Sequence, residues 1–331
     1  MRNFLSVVVP CYNESGNIKE LYQRLQAALR PLDIDQEYLF VDDGSTDDSL
    51  GVLSELHSSD PRVKIISLSR NFGPPFACTA GLDHAIGDAV VTMDGDLQHP
   101  PELIPELWKK WREGFDVVCT LRQYTHEAGL FKRASSKLFS HIFRWLSDTD
   151  LPHDTSDFRL LSRKAVDTLK TMRERYRFPR GLVSWIGFRQ TFITFKADSR
   201  KEGKSKYSFI KLVHLALDSI LSFSSIPLYA STILGFAVSI YAFLYSLLVL
   251  YLKYWEKSAI PGWTTIVLAV LFLGGTQLIC IGIMGEYIGK MYNEIKRRPL
   301  YVIKETLGVN PPANNVYDER SRSQRLPPTG L

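Results

Sequence analysis

The stretch that decides the fold is Met93-Asp94-Gly95-Asp96-Leu97-Gln98-His99-Pro100-Pro101. It continues a short apolar run, residues 88–93, of the kind that forms a buried strand. Side chains two apart in an extended segment point the same way, so Asp94 and Asp96 can face one site. Carboxylate oxygens suit Mg²⁺ or Mn²⁺, which fill their remaining positions with phosphate oxygens. Asp and Gly are also ordinary turn residues, but the position at a strand end favours a metal site over a solvated turn.

Strands alternate with helices along the first part of the chain. Apolar runs predict strands at Phe4–Pro10, Glu37–Val41, Val63–Ser67 and Asp88–Met93. Helices are predicted over Asn17–Leu29, up to Leu56 and over Ala77–Ile86. The hydroxyls of Ser45 and Thr46 are placed to cap the second helix. This alternation indicates an α/β fold with a mostly parallel, Rossmann-like sheet, whose ligands bind beyond the carboxyl ends of the strands.

Polar motifs follow three of these strands, at Pro10–Glu14, Asp42–Thr46 and Asp94–Gln98. Because the carboxyl ends of parallel strands meet at one edge of a sheet, the three motifs are expected to form one site. The turn after the first strand lacks the GxGxxG pattern, which disfavours a dinucleotide-binding fold.

The same motifs, in this order, resemble the inverting family 2 glycosyltransferases of fold type A (GT-A). They read Val7-Val8-Val9-Pro10-Cys11-Tyr12-Asn13-Glu14, Val41-Asp42-Asp43-Gly44-Ser45-Thr46-Asp47 and Asp94-Gly95-Asp96-Leu97-Gln98-His99-Pro100. More narrowly, residues 4–300 resemble polyprenyl-phosphate glycosyltransferases, namely dolichol-phosphate mannose synthase and the bacterial undecaprenyl-phosphate glucosyltransferases of the GtrB type.

The resemblance implies a site for a nucleotide sugar donor. Tyr12 and Asp43 would hold the nucleotide base, and Pro10 and Glu14 would line its pocket. Gln98 would serve the donor. Asp94 and Asp96 would serve the sugar and the Mg²⁺ or Mn²⁺ that bridges the diphosphate, with Asp96 counted among the catalytic residues.

The resemblance also implies residues for a polyprenyl phosphate acceptor. Asp157 matches an acidic residue near the acceptor; it could orient the acceptor or stabilise positive charge on the sugar ring. Arg122 follows the strand-like run Val117–Leu121. By resemblance, Arg122 and the cations Arg133 and Lys137 would hold the acceptor phosphate. Alternatively, these cations meet only anionic lipid headgroups.

Two segments have the pattern of interfacial helices. Residues 130–147 combine an apolar stripe with a basic rim, although a core-facing surface helix would show the same stripe. A second amphipathic segment covers 206–217 and leads towards an apolar run. The basic loop before it resembles the family's segment that closes over the donor phosphates, which implicates Arg200 and Lys206. A solvated linker is the alternative for this loop.

Two runs without charged residues, Ile226–Leu252 and Ser258–Gly285, each exceed the roughly 20 residues that cross a bilayer. Basic residues precede the first run and follow the second. The positive-inside rule therefore predicts a multi-pass protein of the inner (plasma) membrane, with the catalytic domain and both termini in the cytoplasm.

The chain is expected to divide into four regions. These are a GT-A domain (1–200), a basic loop with a juxtamembrane helix (201–225), two transmembrane helices (226–285) and a cytoplasmic tail (286–331) that is disordered from about residue 310. Four cysteines without metal spacing indicate a reducing compartment, and no signal peptide is expected before the first strand. Basic clusters flank the apolar segments, so a membrane or a phosphorylated lipid fits them better than nucleic acid.

The predicted reaction is transfer of a sugar, with inversion, from a nucleotide diphosphate to a polyprenyl phosphate such as undecaprenyl phosphate. UDP-glucose is the favoured donor from the likeness to the GtrB type, with GDP-mannose or a modified UDP-arabinose as alternatives. A processive polysaccharide synthase is disfavoured because the chain lacks a QxxRW segment. A non-catalytic scaffold is disfavoured because the metal and base positions are intact. Whether the chain forms a homo-oligomer stays open.

Overall fold

The computed structural model describes residues 3–123, 155–196, 226–251 and 262–309. The chain forms two compact units. The first comprises Met1–Ser135, Thr149–Lys206 and Pro299–Leu331, and the second comprises Ser136–Asp148 and Tyr207–Arg298.

Within the described residues, the first unit contains a sheet of eight strands. They are β1 (Phe4–Cys11), β2 (Asp35–Asp42), β3 (Val63–Leu68), β4 (Ala89–Thr92), β5 (Val117–Gln123), β6 (Thr155–Ser162), β7 (Gln190–Lys196) and β8 (Ile303–Leu307). Their order is β7-β5-β6-β4-β1-β2-β3-β8. The central strands β4, β1, β2 and β3 are parallel, whereas β6 runs antiparallel to both β4 and β5. The predicted α/β fold is confirmed.

Helices connect the strands of this unit. They are α1 (Ser15–Leu29), α2 (Ser49–Ser59), α3 (Pro74–His84), α4 (Ile104–Arg112), α5 (Arg163–Thr171) and α6 (Pro179–Trp185), with short 3₁₀ turns at Arg30–Leu32 and Pro101–Leu103. Strand β1 is buried on both faces, since Leu5, Val7 and Val8 have no exposed surface. Two-sided burial explains why parallel strands appear in the sequence as continuous apolar runs.

The predicted cap of the second helix is wrong. Helix α2 begins at Ser49 with Asp48 as its N-cap, and no side chain caps it. The Ser45 hydroxyl instead accepts a hydrogen bond from the Asn13 amide. The Ser45 side chain forms a hydrogen bond to another loop instead of to its own helix, and the local sequence cannot show this.

Strand β8 lies in a region that the sequence predicts to be a tail, residues 286–331. Ile303–Leu307 instead pairs antiparallel with β3 and closes one edge of the sheet. Its partner strand is distant in the sequence, so no local pattern predicts the pairing. The tail beyond residue 309 lies outside the described residues.

The second unit contains two long apolar helices, α7 (Ile226–Tyr251) and α8 (Trp263–Ile295). Both are long and apolar enough to cross a membrane, over Leu228–Tyr245 and Phe272–Ile295. Their large apolar side chains, such as Phe236 and Ile279, are exposed to a degree that is not found in the core helices of soluble proteins. These helices indicate membrane association. The predicted interfacial helix (130–147) and the segment 201–225 lie outside the described residues.

Candidate active site

The loops after β1 and β2 are hydrogen-bonded to each other. The Asn13 amide donates to Ser45 Oγ at 3.0 Å, and the Thr46 amide donates to Asn13 Oδ1 at 2.8 Å. The Glu14 amide donates to Ser49 Oγ at 2.9 Å. The first two predicted motifs therefore form one surface at the carboxyl edge of the sheet.

Asp43 connects this surface to a third loop, residues 69–73 after β3. Its carboxylate is buried and accepts hydrogen bonds from the amides of Phe72 (2.8 Å) and Gly73 (2.9 Å). Desolvation raises the pKa of Asp43 above its usual value. Gly44 has φ +68°, and a Cβ there would lie 2.4 Å from the carbonyl carbon of Arg70. Only glycine allows the two main chains to approach this closely.

The residues predicted to surround the nucleotide base lie beside this surface. Tyr12 is 39% exposed, so part of its ring is open to a ligand. Pro10 lies in β1 opposite Val41 of β2. The Glu14 carboxylate accepts a hydrogen bond from Asn17 Nδ2 at 2.6 Å. Their roles in holding the base stay predictions.

His99 fixes the loop that follows β4 and carries Asp94 and Asp96, which is called the carboxylate loop here. The Asp94 amide donates to His99 Nδ1 at 3.0 Å, so the ring proton is on Nε2, which lies 2.8 Å from Ser156 Oγ. Burial lowers the pKa of His99 to about 4, which keeps the ring neutral. The loop is therefore attached to the start of β6. His99 lies within the motif at residues 93–101, but no role for it is predicted from the sequence.

Asp94 and Asp96 place two carboxylates in one loop, close to the carboxylate of Asp157. Desolvation, followed by the charges of Asp157 and Asp96, raises the pKa of Asp94 to about 7. A bound cation would relieve this repulsion, and a pair of carboxylates fits a divalent ion that keeps water and phosphate ligands. Within the ranges described, no cluster of three or more His, Cys, Asp or Glu side chains could hold a metal alone. Two carboxylates alone would leave most coordination positions of such an ion open to other ligands.

Asp157 lies on β6 beside the carboxylate loop, held by a bond from Thr92 Oγ1 to its main-chain oxygen (2.8 Å). Its carboxylate accepts from Arg159 Nη2 at 2.6 Å and from Arg180 Nη2 at 2.8 Å. Burial alone would raise the pKa of Asp157, but the two guanidinium charges outweigh burial and hold it at about 2. Asp157 is therefore ionised at every physiological pH.

Arg122, at the end of β5, contacts the carboxylate loop directly. Its Nη1 donates to Gln98 Oε1 at 3.1 Å, while the main-chain N–H of Gln98 donates to Asp96 Oδ1 at 3.2 Å. A residue predicted for the acceptor thus touches a residue predicted for the donor. Arg133, Lys137, Arg200 and Lys206 lie outside the described residues.

Comparison with known proteins identifies the family. Residues 6–170 match the model described as glycosyl transferase family 2. The uncharacterized glycosyltransferase YkcC of Bacillus subtilis (strain 168) is 44% identical over 304 residues, which cover 92% of this chain and 94% of the relative. The chain belongs to glycosyl transferase family 2.

Further similar proteins extend the comparison. The bactoprenol glucosyl transferase of Shigella phage SfV is 39% identical over 302 residues, 91% of this chain and 98% of the relative. A solved structure, glucosyl-3-phosphoglycerate synthase from Mycobacterium tuberculosis in complex with Mn²⁺, UDP-glucose and phosphoglyceric acid, is 19% identical. It has a TM-score of 0.43 and covers 66% of this chain and 78% of that one. The GT-A fold implied by the resemblance is confirmed by the family match and the mostly parallel sheet.

Besides His99, three features of the site in this family 2 glycosyltransferase are not predicted from the sequence. The loop at residues 69–73 follows the carboxyl end of a predicted strand, so its position alone could have drawn attention to it. Arg159 lies two residues after Asp157 on the same strand, so both point to one face. Arg180 reaches the site from α6, and no sequence signal links it to Asp157.

Proposed function

We propose that this glycosyltransferase moves glucose from UDP-glucose to the phosphate of a polyprenyl lipid of the bactoprenol (undecaprenol) type, at the cytoplasmic face of the membrane. Relatives named bactoprenol glucosyl transferase, 38–39% identical over 91–93% of this chain, support both the sugar and the lipid. The two apolar helices support a lipid acceptor. These names do not favour a processive polysaccharide synthase.

The observation that carries the proposal from the geometry is the bond between Arg122 and Gln98 (3.1 Å). It brings a cation to the loop that carries Asp94 and Asp96. A donor diphosphate held at the carboxylates through a metal and an acceptor phosphate held at Arg122 would then be neighbours. Holding two anions close together is the main demand of this reaction.

Asp94 and Asp96 would hold Mg²⁺ or Mn²⁺ together with oxygens of the donor diphosphate. When bound, the ion supplies positive charge that stabilises the leaving diphosphate. An acceptor phosphate oxygen forms the new bond to the anomeric carbon as the bond to the diphosphate oxygen breaks, and that electron pair leaves with the nucleotide. Attack from the opposite face inverts the anomeric carbon. Tyr12 and Asp43 would hold the base of the same nucleotide at the neighbouring loops.

Asp157 would act by positioning Arg159 and Arg180. The acceptor phosphate is already an anion near neutral pH, so the reaction needs no strong general base. With a pKa of about 2, Asp157 also cannot act as a general acid. The cluster of one carboxylate and two guanidinium groups is positive overall, which favours a phosphate beside it. Arg180, whose side chain is 41% exposed, can reach such a ligand.

We also propose the domain arrangement and topology that the sequence predicts. Residues 1–200, completed by the strand Ile303–Leu307, form the catalytic domain, and 226–285 anchor it with both chain ends in the cytoplasm. The return of Ile303–Leu307 to the sheet supports a cytoplasmic position for the segment after α8, because a strand cannot join a cytoplasmic sheet from the other side of the membrane.

The test is an assay of purified full-length protein with Mg²⁺, undecaprenyl phosphate and a panel of labelled nucleotide sugars, followed by extraction of the lipid phase. We expect lipid label from UDP-glucose and its loss with EDTA. Lipid label from GDP-mannose or UDP-arabinose alone would refute the donor. Labelled polymer without labelled lipid would refute the acceptor.

A pair of variants tests the metal site in the same assay. Asp96→Asn keeps the shape of the side chain but removes its charge, so transfer should fall at least about 100-fold. Asp167→Asn is the matched control, because that carboxylate is exposed on α5, where it pairs with Arg163. A near-normal rate for Asp96→Asn at saturating donor would show that the metal assignment is wrong.

A further inference from the structure

The segment that follows α8 returns to the catalytic unit; residues 299–308 are called the return segment here. Its strand β8 pairs with β3, with Ile65 opposite Leu307 and Leu68 opposite Ile303. Immediately before β8, the carbonyl oxygen of Val302 accepts a hydrogen bond from the Ser69 amide at 2.9 Å. The return segment therefore holds the first residue of the loop 69–73.

The preceding residue, Tyr301, holds the far end of the chain segment that starts at Ser69 and ends at Asp83. Its hydroxyl donates to Asp83 Oδ2 at 2.7 Å, near the end of α3. Arg173 binds both oxygens of the same carboxylate, at 2.7 and 3.0 Å. The Asp83 side chain is only 8% exposed, so these charge-assisted bonds are shielded from water. Burial and the Asp83 charge raise the pKa of Tyr301, so its hydroxyl keeps its proton and stays a donor.

Tyr301 and Val302 thus fix both ends of the chain from Ser69 to Asp83. Between these ends lie the two amides, of Phe72 and Gly73, that bind the carboxylate of Asp43. The loop 69–73 therefore links the return segment, bonded at Ser69, to Asp43, bonded at Phe72 and Gly73, on the surface where the nucleotide base is proposed to bind. Among the described residues, none of these hydrogen bonds involves the carboxylate loop at Asp94 and Asp96.

We propose that the return segment is a positioning element of the donor site. Val302 holds Ser69 at the start of the loop 69–73, Tyr301 holds Asp83 near the end of α3, and together they keep the loop in the conformation that orders Asp43 for nucleotide binding. Tyr301 touches neither the sugar nor the acceptor, so its effect falls on donor affinity and not on the chemical step. The inference deepens the proposed function and rests on it, since it requires a nucleotide at this edge of the sheet.

The test compares two tyrosine substitutions in the full-length protein in detergent. Tyr301→Phe removes the hydroxyl that donates a hydrogen bond to Asp83. Tyr22→Phe is the matched control, because the Tyr22 hydroxyl donates to Asp60 at 2.5 Å in the same unit but on α1, away from the loop 69–73. UDP affinity is measured by titration calorimetry, KM and kcat are measured with UDP-glucose, and amide hydrogen exchange is followed across residues 69–73.

Tyr301→Phe should weaken UDP binding and raise KM about tenfold, the scale of losing one hydrogen bond to a charged group. Its kcat should stay within about twofold, and exchange across 69–73 should become faster. Tyr22→Phe should change none of these quantities. The inference is overturned if the two variants bind UDP equally well, or if Tyr301→Phe lowers kcat at unchanged KM. A wild-type protein that binds GDP and not UDP would refute the proposed donor, and the same comparison made with GDP would still decide the inference. Binding of neither nucleotide would refute both.

Discussion

Replacing Asp157 by asparagine should destabilise the catalytic unit as well as slow the reaction. The carboxylate lies 2.6 Å from Nη2 of Arg159, whose side chain is only 3% exposed. The amide of the variant has a similar shape but no charge. A buried guanidinium would then lose the carboxylate that balances it, and its remaining acceptors are main-chain oxygens such as that of Ser156 (3.2 Å).

The expected magnitude follows from the pKa and from burial. The fall of the Asp157 pKa from 3.8 to about 2 corresponds to about 2.4 kcal/mol at 1.36 kcal/mol per pH unit. Because 43% of this side chain is exposed, screening by water and salt reduces that share to about 1 kcal/mol. Leaving Arg159 buried without its counter-charge raises the total cost to about 3 kcal/mol.

Thermal unfolding in detergent measures this cost. At pH 7 we expect Asp157→Asn to lower Tm by about 6–12 °C, at about 2–4 °C per kcal/mol. The exposed control Asp167→Asn should lower it by less than about 2 °C. Since the folded pKa lies below the unfolded one, the contribution of Asp157 is complete above about pH 4 and is lost as the pH falls through about 2. The Tm deficit of Asp157→Asn should therefore shrink as the pH falls from about 4 to about 2. Equal deficits for the two variants at pH 7, or a deficit that does not change at low pH, would refute this reasoning.

Three further predictions concern the loops, the acceptor and the membrane helices. Gly44→Ala should destabilise the protein and weaken UDP binding, because at a φ of +68° the new Cβ would lie 2.4 Å from a neighbouring main-chain atom. Thermal unfolding measures the first effect and titration calorimetry the second, and unchanged values would show that the loops can separate without cost. Arg122→Ala should reduce transfer at least about tenfold in neutral detergent while UDP-glucose affinity stays nearly constant, because it removes a cation from the proposed acceptor phosphate; normal transfer would assign this cation to the membrane surface. Reporters fused after Leu331 and inserted near Ser258 should report opposite sides of the membrane, and two cytoplasmic signals would require the count of two spans to be withdrawn.

The sequence was informative wherever local pattern and strand topology decide the outcome. Continuous apolar runs located the parallel strands because those strands are buried on both faces. The rule that ligands bind at strand ends then brought Pro10–Glu14, Asp42–Thr46 and Asp94–Gln98 to one edge, and the structure has them there. Asp94 and Asp96 could be singled out because they follow a strand end. The strand stops at Thr92 and the chain bends from Gly95, so the expectation that an extended segment turns both carboxylates to one side does not apply.

Contacts between distant segments could not be derived in this way. Arg180 reaches Asp157 across 23 positions of the chain, and Tyr301 reaches Asp83 across 218. The choice of Ser45 as a partner for Asn13, instead of as a helix cap, also depends on how two loops meet. Such pairings are set by tertiary packing, which overrides local preference when the two disagree.

The pairing of β8 with β3 makes the catalytic domain discontinuous in the chain. A fragment that stops near residue 200, before the apolar helices, would keep seven strands and lose the eighth. The main-chain groups of Ile65 and Ile66 that bind Leu307 and Thr306 would then lie on an open edge, flanked by apolar side chains. An open apolar edge is a template for pairing with a second molecule, so the shortened fragment should aggregate. A monomeric catalytic fragment should instead require residues 299–309, joined by a flexible linker in place of the membrane helices or supplied as a separate peptide.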